Sequence, residues 1–291
     1  MKREPRTSVG AERSGRSTIV LLDRPPLALV AVSNQGEPAP VLRMQLSLLH
    51  AQLESVLTRS ALGVLFRKAP SYDLRRLLGG TEKMLDALVC SWARSPAALL
   101  GAYPSLALPQ PRRRVLATHL DIALGWEVLL LLNIVGVLGD EEALTPVCLP
   151  HADPTALLHA YVRRLGGEGS TAGALGGGPP GTTPLLHYAY RLTGGAQFVA
   201  SPPVGDGRLQ QAIVLAYSQV RAAAYDRGSE AEGPLCGVRM ERRPGLALAA
   251  VLGKEGELLA AYDALSKCEE VAAHCARLAA WLRAQHASWF S

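Results

Sequence analysis

Few residues in this sequence stand in an arrangement that does chemistry. Gly176, Gly178 and Gly181 satisfy the spacing of a dinucleotide-binding loop, in which glycines let main-chain N–H groups cradle a pyrophosphate at a helix start. Pro179 and Pro180 remove two of those donors and no strand signal precedes the loop, so the match is compositional. Gly253 and Lys254 are followed by Glu255 instead of Ser or Thr, between two strand candidates, which excludes a P-loop. Cys268, His274 and Cys275 share one helical stretch, but offsets of about six and seven residues spread them over too wide an angle for one metal ion, so core packing is expected. His159 in an apolar run reads as a core or rim histidine, not a base. Neither a G-x-S-x-G elbow nor an H-E-x-x-H helix occurs, so no catalytic residue, metal or cofactor is expected.

The elements that surround these residues therefore matter more than the residues. The densest run of unusual choices is Ser71 to Asp86, where Asp73 is placed to cap a helical piece and Leu74, Leu77 and Leu78 recur at helical spacing. Gly79 and Gly80 break the chain, and Leu85, Leu88, Val89 and Trp92 continue an apolar stripe. Before this run, Thr18–Leu22 and Leu27–Val32 flank a Pro-rich turn as a β-hairpin. A helix from about Val41 then carries Leu42, Leu46, Leu49, Leu53 and Val56 on one stripe. Hairpin followed by helix is the closing half of an α/β sandwich.

Further along, Ile122 to Leu138 is apolar but contains Glu127 and Asn133, and suits a buried helix better than a membrane span. Leu144–Pro150 has the prolines of an edge strand and is expected to pair with Thr155–Arg164 as a hairpin. Residues 166–181 are glycine-rich and mark a linker. Beyond it, a helix near Leu209–Arg227 carries Ile213, Ala216, Tyr217, Val220 and Ala224 on one face. Strand candidates follow at Leu235–Arg242, Leu246–Leu252 and Glu257–Ala264, and a closing helix from Ser266 to about Gln285 buries Val271, Leu278 and Trp281.

Composition agrees with packed modules. Hydrophobic residues make up 48% of the 291, enough for sizeable cores, whereas aromatics supply only 5%. Thirty basic against 25 acidic residues give +5 without the clustering a nucleic-acid surface needs. Arg112, Arg113 and Arg114 form the one tight basic triplet, either a solvated loop or a contact for acidic lipid headgroups. Five cysteines (Cys90, Cys148, Cys236, Cys268, Cys275) without C-x-x-C spacing suit reduced thiols in the cytosol. The charged start of the chain carries no apolar signal region.

The run Tyr72, Asp73, Leu74, Arg75, Arg76, Leu77, Leu78, Gly79, Gly80, followed by Thr81 and Glu82, resembles a signature of the Mon-one family of endosomal and vacuolar fusion proteins. Other passages are similar to that family in matching order: Leu29–Ser33, Ser55–Ser60, Pro96–Ala102, Leu130–Val135, Leu144–Pro150 (with Thr145, Pro146, Cys148 and Pro150), Leu158–Val162, and His187–Arg191 with Gln197 and Phe198. The resemblance implies an α/β fold of the α+β sandwich type, in three longin-like modules with mainly antiparallel sheets flanked by helices, the first two incomplete. The expected division is a disordered basic tail at 1–17, a partial first longin domain at 18–95, a partial second at 96–165, a Gly-rich linker at 166–183 and a third longin domain at 184–291. It departs from the family in lacking opening strands before Thr18, a central hairpin between Pro111 and His119, and a long acidic N-terminal region, as an incomplete gene model or a reduced homologue would.

Functionally, the resemblance implies a subunit of a guanine-nucleotide exchange complex, paired with a Ccz-one-like longin subunit and acting on the late-endosomal Rab GTPase at the endosome or vacuole membrane. Leu27, Leu29, Val30 and Val32, with the Leu42–Leu57 helix, match the region expected to form the Rab and partner surface. Arg75 and Arg76 are expected either to fasten the first module to the second by salt bridges or to touch the GTPase. An interaction scaffold without exchange activity is the alternative. Peripheral contact with an acidic endosomal membrane completes the expected partners, with no nucleic acid among them.

Overall fold

The computed structural model describes residues 9–14, 17–105, 125–138, 142–150, 153–162, 185–193, 195, 197–225, 237–286 and 290. Arg112, Arg113, Arg114, Cys236 and the Gly-rich stretch lie outside the described residues. The fold is mixed α/β, with antiparallel sheets carrying helices. It divides into two compact units, one of Met1–Trp92 with Trp126–Leu165 and another of Ala93–Gly125 with Gly166–Ser291.

In the first unit, β1 (Val9–Ser14), β2 (Ser17–Arg24) and β3 (Leu27–Ser33) form an antiparallel sheet in that spatial order. The β2–β3 hairpin was expected; β1 was not, since residues 1–17 read as a polar tail. Val9 to Ser14 instead pair with Leu22 to Ser17 of β2. Ladder hydrogen bonds come from the backbone, so a weakly apolar segment adds to a strand whose edge is otherwise open. α1 (Ala39–Leu57) lies on this sheet, with Leu42 and Leu46 packed against Val20, Leu22, Leu29 and Ala31.

α1 buries a wider face than the single stripe expected of it. Leu42 and Leu46 are buried, but so are Leu48, Ala51, Gln52, Glu54 and Ser55, while Leu49, Leu53 and Val56 are half-buried. The helix touches β2 and β3, but also α3 (Glu82–Trp92) and the strand β5 (Ala143–Leu149), so more of its circumference is covered. α2 (Arg59–Lys68) follows at a sharp elbow. The elbow residue Thr58 has φ of 56°, rare for a β-branched side chain. Its hydroxyl accepts from the Ala61 N–H and caps α2.

Ahead of the hairpin formed by β5 and β6 (Asp153–Val162) lies α5 (Gly125–Leu138), preceded in the chain by a short helix α4 (Ala97–Leu100). Leu129 and Leu130 of α5 are buried, yet Leu132 and Val137 are exposed. Asn133 explains the polar break in its apolar run. Its amide donates to Gln52 Oε1 and to the Met84 carbonyl, both at 3.0 Å. Gln52 in turn donates to Ser55 Oγ at 2.9 Å, so α1, α3 and α5 share one polar network.

The second unit is built on a six-stranded sheet. Its order is β4 (Tyr103–Pro104), β8 (Gln197–Ala200), β7 (Leu185–Leu192), β11 (Gly256–Asp263), β10 (Leu246–Leu252), β9 (Gly237–Arg243). Only β4 runs parallel to its neighbour. α6 (Gly207–Tyr225) and α7 (Cys268–Ala284) each pack on β10, whose run of Leu, Ala and Val is buried almost throughout. An uninterrupted apolar strand is what a sheet covered on both faces demands. Ile213, Ala216, Tyr217, Val220 and Ala224 of α6 are all buried. Val271, Cys275, Leu278 and Leu282 of α7 join Tyr188, Tyr190, Leu258, Ala260 and Tyr262 in a separate cluster.

The Pro96–Ala102 passage belongs to this second unit. Gly101, at φ of 59°, ends α4 and lets β4 join the sheet edge, where Ser105 N–H donates to the Phe198 carbonyl at 2.7 Å. The segment expected to form a second module is thus divided, its described residues up to 105 falling in the second unit and those of 126–162 in the first.

Candidate functional site

Strand β3 positions the strongest candidate surface. Because side chains alternate across a strand, Leu27 and Leu29 are half-buried on the α1 side whereas Val30 and Val32 point outward. The four residues expected to share one partner surface therefore do not share a face. Val30 is 59% and Val32 67% exposed, and they stand opposite Leu21 and Ile19 of β2. Leu21 is itself exposed, so β2 and β3 present one apolar outer face. Among the described residues β3 pairs only with β2, and its sequence, LALVAVS, contains no Lys, Pro or other residue that discourages edge pairing.

Behind that sheet the end of α1 is held electrostatically. Buried Glu54 accepts from Arg59 Nε at 2.6 Å and Nη2 at 3.0 Å, a two-pronged pair across the Thr58 elbow. His50 Nδ1 lies 3.6 Å from Glu54. Burial lowers the His50 pKa below its usual range; Glu54 opposes that shift, and Arg24 and Arg59 add to it. The hydrogen bond to Glu54 holds Arg59 above its ordinary value.

The Tyr72–Gly80 run forms an exposed turn instead of a helix packed on a sheet. Leu74–Arg76 make one turn of 3-10 helix, capped as expected by Asp73, which accepts from the Arg75 N–H at 3.1 Å. The Arg75 guanidinium folds back on the same carboxylate, with Nη2 to Oδ2 at 2.7 Å. That pair is local, and among the described residues Arg75 makes no ion pair with another module. Its hydrogen bonds hold the Asp73 carboxyl below the usual range. Gly80, at φ of 89°, ends the turn and its N–H donates to Glu82 Oε2 at 2.8 Å. On α3, Met84 and Leu88 face inward, while Val89, assigned to the apolar stripe by its spacing, is exposed.

The remaining signature residues sit on the hairpin. Val147 and Cys148 are buried, Pro146 is exposed, and Leu144, Leu157, Leu158 and Tyr161 expose much of their surface. Cys148 Sγ donates to the Asp153 carbonyl at 3.3 Å and Pro150 is buried at the turn. Thr145 stands opposite Ala160 and Pro146 opposite the exposed His159. On α7, His274 and Cys275 are buried in packing as expected, with His274 Nδ1 3.0 Å from Tyr262 Oη, but Cys268 is exposed. No group of His, Cys, Asp or Glu suited to a metal ion occurs among the described residues. Nor, among them, is any helix long and apolar enough to cross a membrane.

Residues 6–88 match the family model described as the first longin domain of FUZ, MON1 and HPS1, which takes in β1 and ends within α3. Vacuolar fusion protein MON1 homolog B of Mus musculus is 36% identical over 181 aligned residues, covering 50% of this chain and 33% of that protein. The MON1 homolog of Arabidopsis thaliana is 31% identical over 184 residues, covering 53% and 30%. Homolog A of Homo sapiens is 32% identical over 177 residues, covering 50% and 27%. The match thus spans about a third of the length of these curated relatives. The chain thus carries a first longin domain of this type and is similar to animal and plant MON1 proteins over about half of its own length.

Proposed function

We propose that this protein acts in vacuolar or lysosomal fusion as a subunit of a guanine-nucleotide exchange complex that activates the late-endosomal Rab GTPase, together with a Ccz-one-like longin partner. The observation that carries the reading is the outer face of β2 and β3, where Leu21, Val30 and Val32 are exposed beside a strand edge that no other described residue pairs with, within a first longin domain. An apolar face next to an open edge gains from a partner that supplies both a strand and a cover. Exchange needs no acid, base or metal. It requires only that the complex bind the nucleotide-free GTPase more tightly than the loaded one, and reciprocity then makes the nucleotide and the exchange factor weaken each other by one factor. Holding the switch segments away from the nucleotide and its Mg²⁺ suffices. Recruitment to the endosomal or vacuolar membrane is peripheral in this reading.

A second reading, an interaction scaffold without exchange activity, draws support from the three strands that the described residues give the first unit's β1–β3 sheet. Co-expression with the partner, followed by release of fluorescent GDP from the Rab, separates the two. The exchange reading expects acceleration that Val30→Lys with Val32→Lys abolishes. A stable complex that leaves GDP release unchanged would refute it in favour of the scaffold.

A further inference from the structure

The groove beside the Tyr72–Arg76 turn has the make-up of a peptide site that the exchange reading does not use. It encloses about 480 Å³ and is lined by Ala69, Pro70, Ser71, Tyr72, Asp73 and Arg76, within the roughly 300–1,000 Å³ range of ligand sites. The turn is shaped without being buried. Asp73 caps it and grips Arg75, Thr81 Oγ1 donates to the Leu78 carbonyl at 2.7 Å, and Gly80 donates to Glu82. Hydrogen bonds that fix an exposed turn make no core. They hold a surface ready and lower the ordering cost of binding.

Its charge is one-sided. From Arg67 to Arg76 the chain carries Arg67, Lys68, Arg75 and Arg76 against Asp73 alone, and Asp73 is already committed to Arg75. Arg76 has no ion pair or side-chain hydrogen bond among the described residues, so its planar fork is free. Free Arg76 stands beside the Tyr72 ring and Pro70, with Leu77 45% exposed next in the chain. Arginine forks match carboxylates in two-pronged geometry, and an aromatic ring with apolar neighbours accepts the aliphatic residues between them.

We infer that this groove binds an extended, carboxylate-rich peptide segment of a partner protein, with Arg76 taking a carboxylate and Tyr72 and Pro70 packing an adjacent aliphatic side chain. The test uses the full chain and a fluorescein-labelled peptide that alternates Asp or Glu with Leu, followed by polarisation at low and high salt. Saturable binding is expected at low salt. Arg76→Glu should weaken it by about tenfold or more, since one charge-assisted hydrogen bond is of that order. Tyr72→Ala should weaken it less, and Lys83→Glu, outside the groove, should leave it unchanged. All three positions are exposed or half-buried, and matching thermal melts show that the variants fold. Equal losses in the Arg76 and Lys83 variants would overturn the inference in favour of diffuse charge attraction. So would an absence of saturable binding, or Arg76-dependent binding to phosphatidylserine vesicles in place of the peptide.

Discussion

The network joining Asn133, Gln52 and Met84 makes a quantitative demand on stability. Asn133 sits in an apolar helix, yet its amide is the shared donor to Gln52 Oε1 and the Met84 carbonyl, each at 3.0 Å. Leu keeps the branched four-heavy-atom skeleton of Asn, so Asn133→Leu opens no cavity and mainly removes the hydrogen-bonding groups. It strands the acceptor of Gln52, a fully buried side chain, and removes one partner from Met84. A stranded buried acceptor costs about 1–3 kcal/mol, so a loss of about 2–4 kcal/mol is expected. For a unit of this size that lowers the midpoint of thermal unfolding by roughly 5–12 °C.

The decisive version adds Gln52→Leu. Replacing both partners leaves neither stranded, so the double variant should be less destabilised than the sum of the singles by about 1 kcal/mol or more. Hydrogen exchange at the α1 amides of the full chain, read by mass spectrometry, reports the first unit directly. Additivity within about 0.3 kcal/mol would refute the coupling and reduce Asn133 to an ordinary half-buried polar residue.

Other predictions concern backbone, contact and charge. At most positions Gly is less stable than Ala by up to about 1 kcal/mol, but at Thr58, with φ of 56°, the order should reverse. Thr58→Ala loses the cap and keeps the strain, whereas Thr58→Gly relieves it, and urea denaturation of both variants reads the sign. A Cβ on Gly256 would lie 2.6 Å from Tyr190 Oη and 2.9 Å from the Arg191 carbonyl. Gly256→Ala should therefore cost about 1–3 kcal/mol in the same assay. Burial lowers the His187 pKa from 6.5 to about 4. The folded state therefore refuses a proton that the unfolded chain accepts, and stability present above pH 6.5 falls as pH drops toward 4, by up to about 3 kcal/mol. His187→Gln should flatten that fall in denaturation midpoints measured across the window. A shallower slope should remain from His274 and His286, whose pKa values burial also lowers.

Periodicity made the faces of the long elements legible. The α6 positions from Ile213 to Ala224 repeat at helical spacing and are all buried, because one regular face meets one sheet. The same logic failed for Leu49, Leu53 and Val56, since a single stripe describes a helix with one neighbour and α1 has several. Strands β7 and β8 escaped notice as strands because β7 pairs with β11, far away in the chain, and local pattern carries no trace of that partner. β1 escaped for a related reason: its ladder is made by backbone groups that every residue has.

The candidate surface shows a different limit. Leu27, Leu29, Val30 and Val32 read as one apolar run, and a continuous run is what a strand buried on both faces would show. Only the structure separates Leu29, packed against α1, from Val30 and Val32, which are exposed on the opposite face. Their apolar character is unexplained by the packing of the described residues in this unit, although the run itself was visible from the start. The same holds for the Arg75 and Arg76 pair. Spacing marked both, but Arg75 spends its charge on Asp73 two residues away, while Arg76 keeps its own. What distinguishes a structural residue from one held for a partner is therefore which contacts remain unmade after folding, and sequence pattern cannot count those.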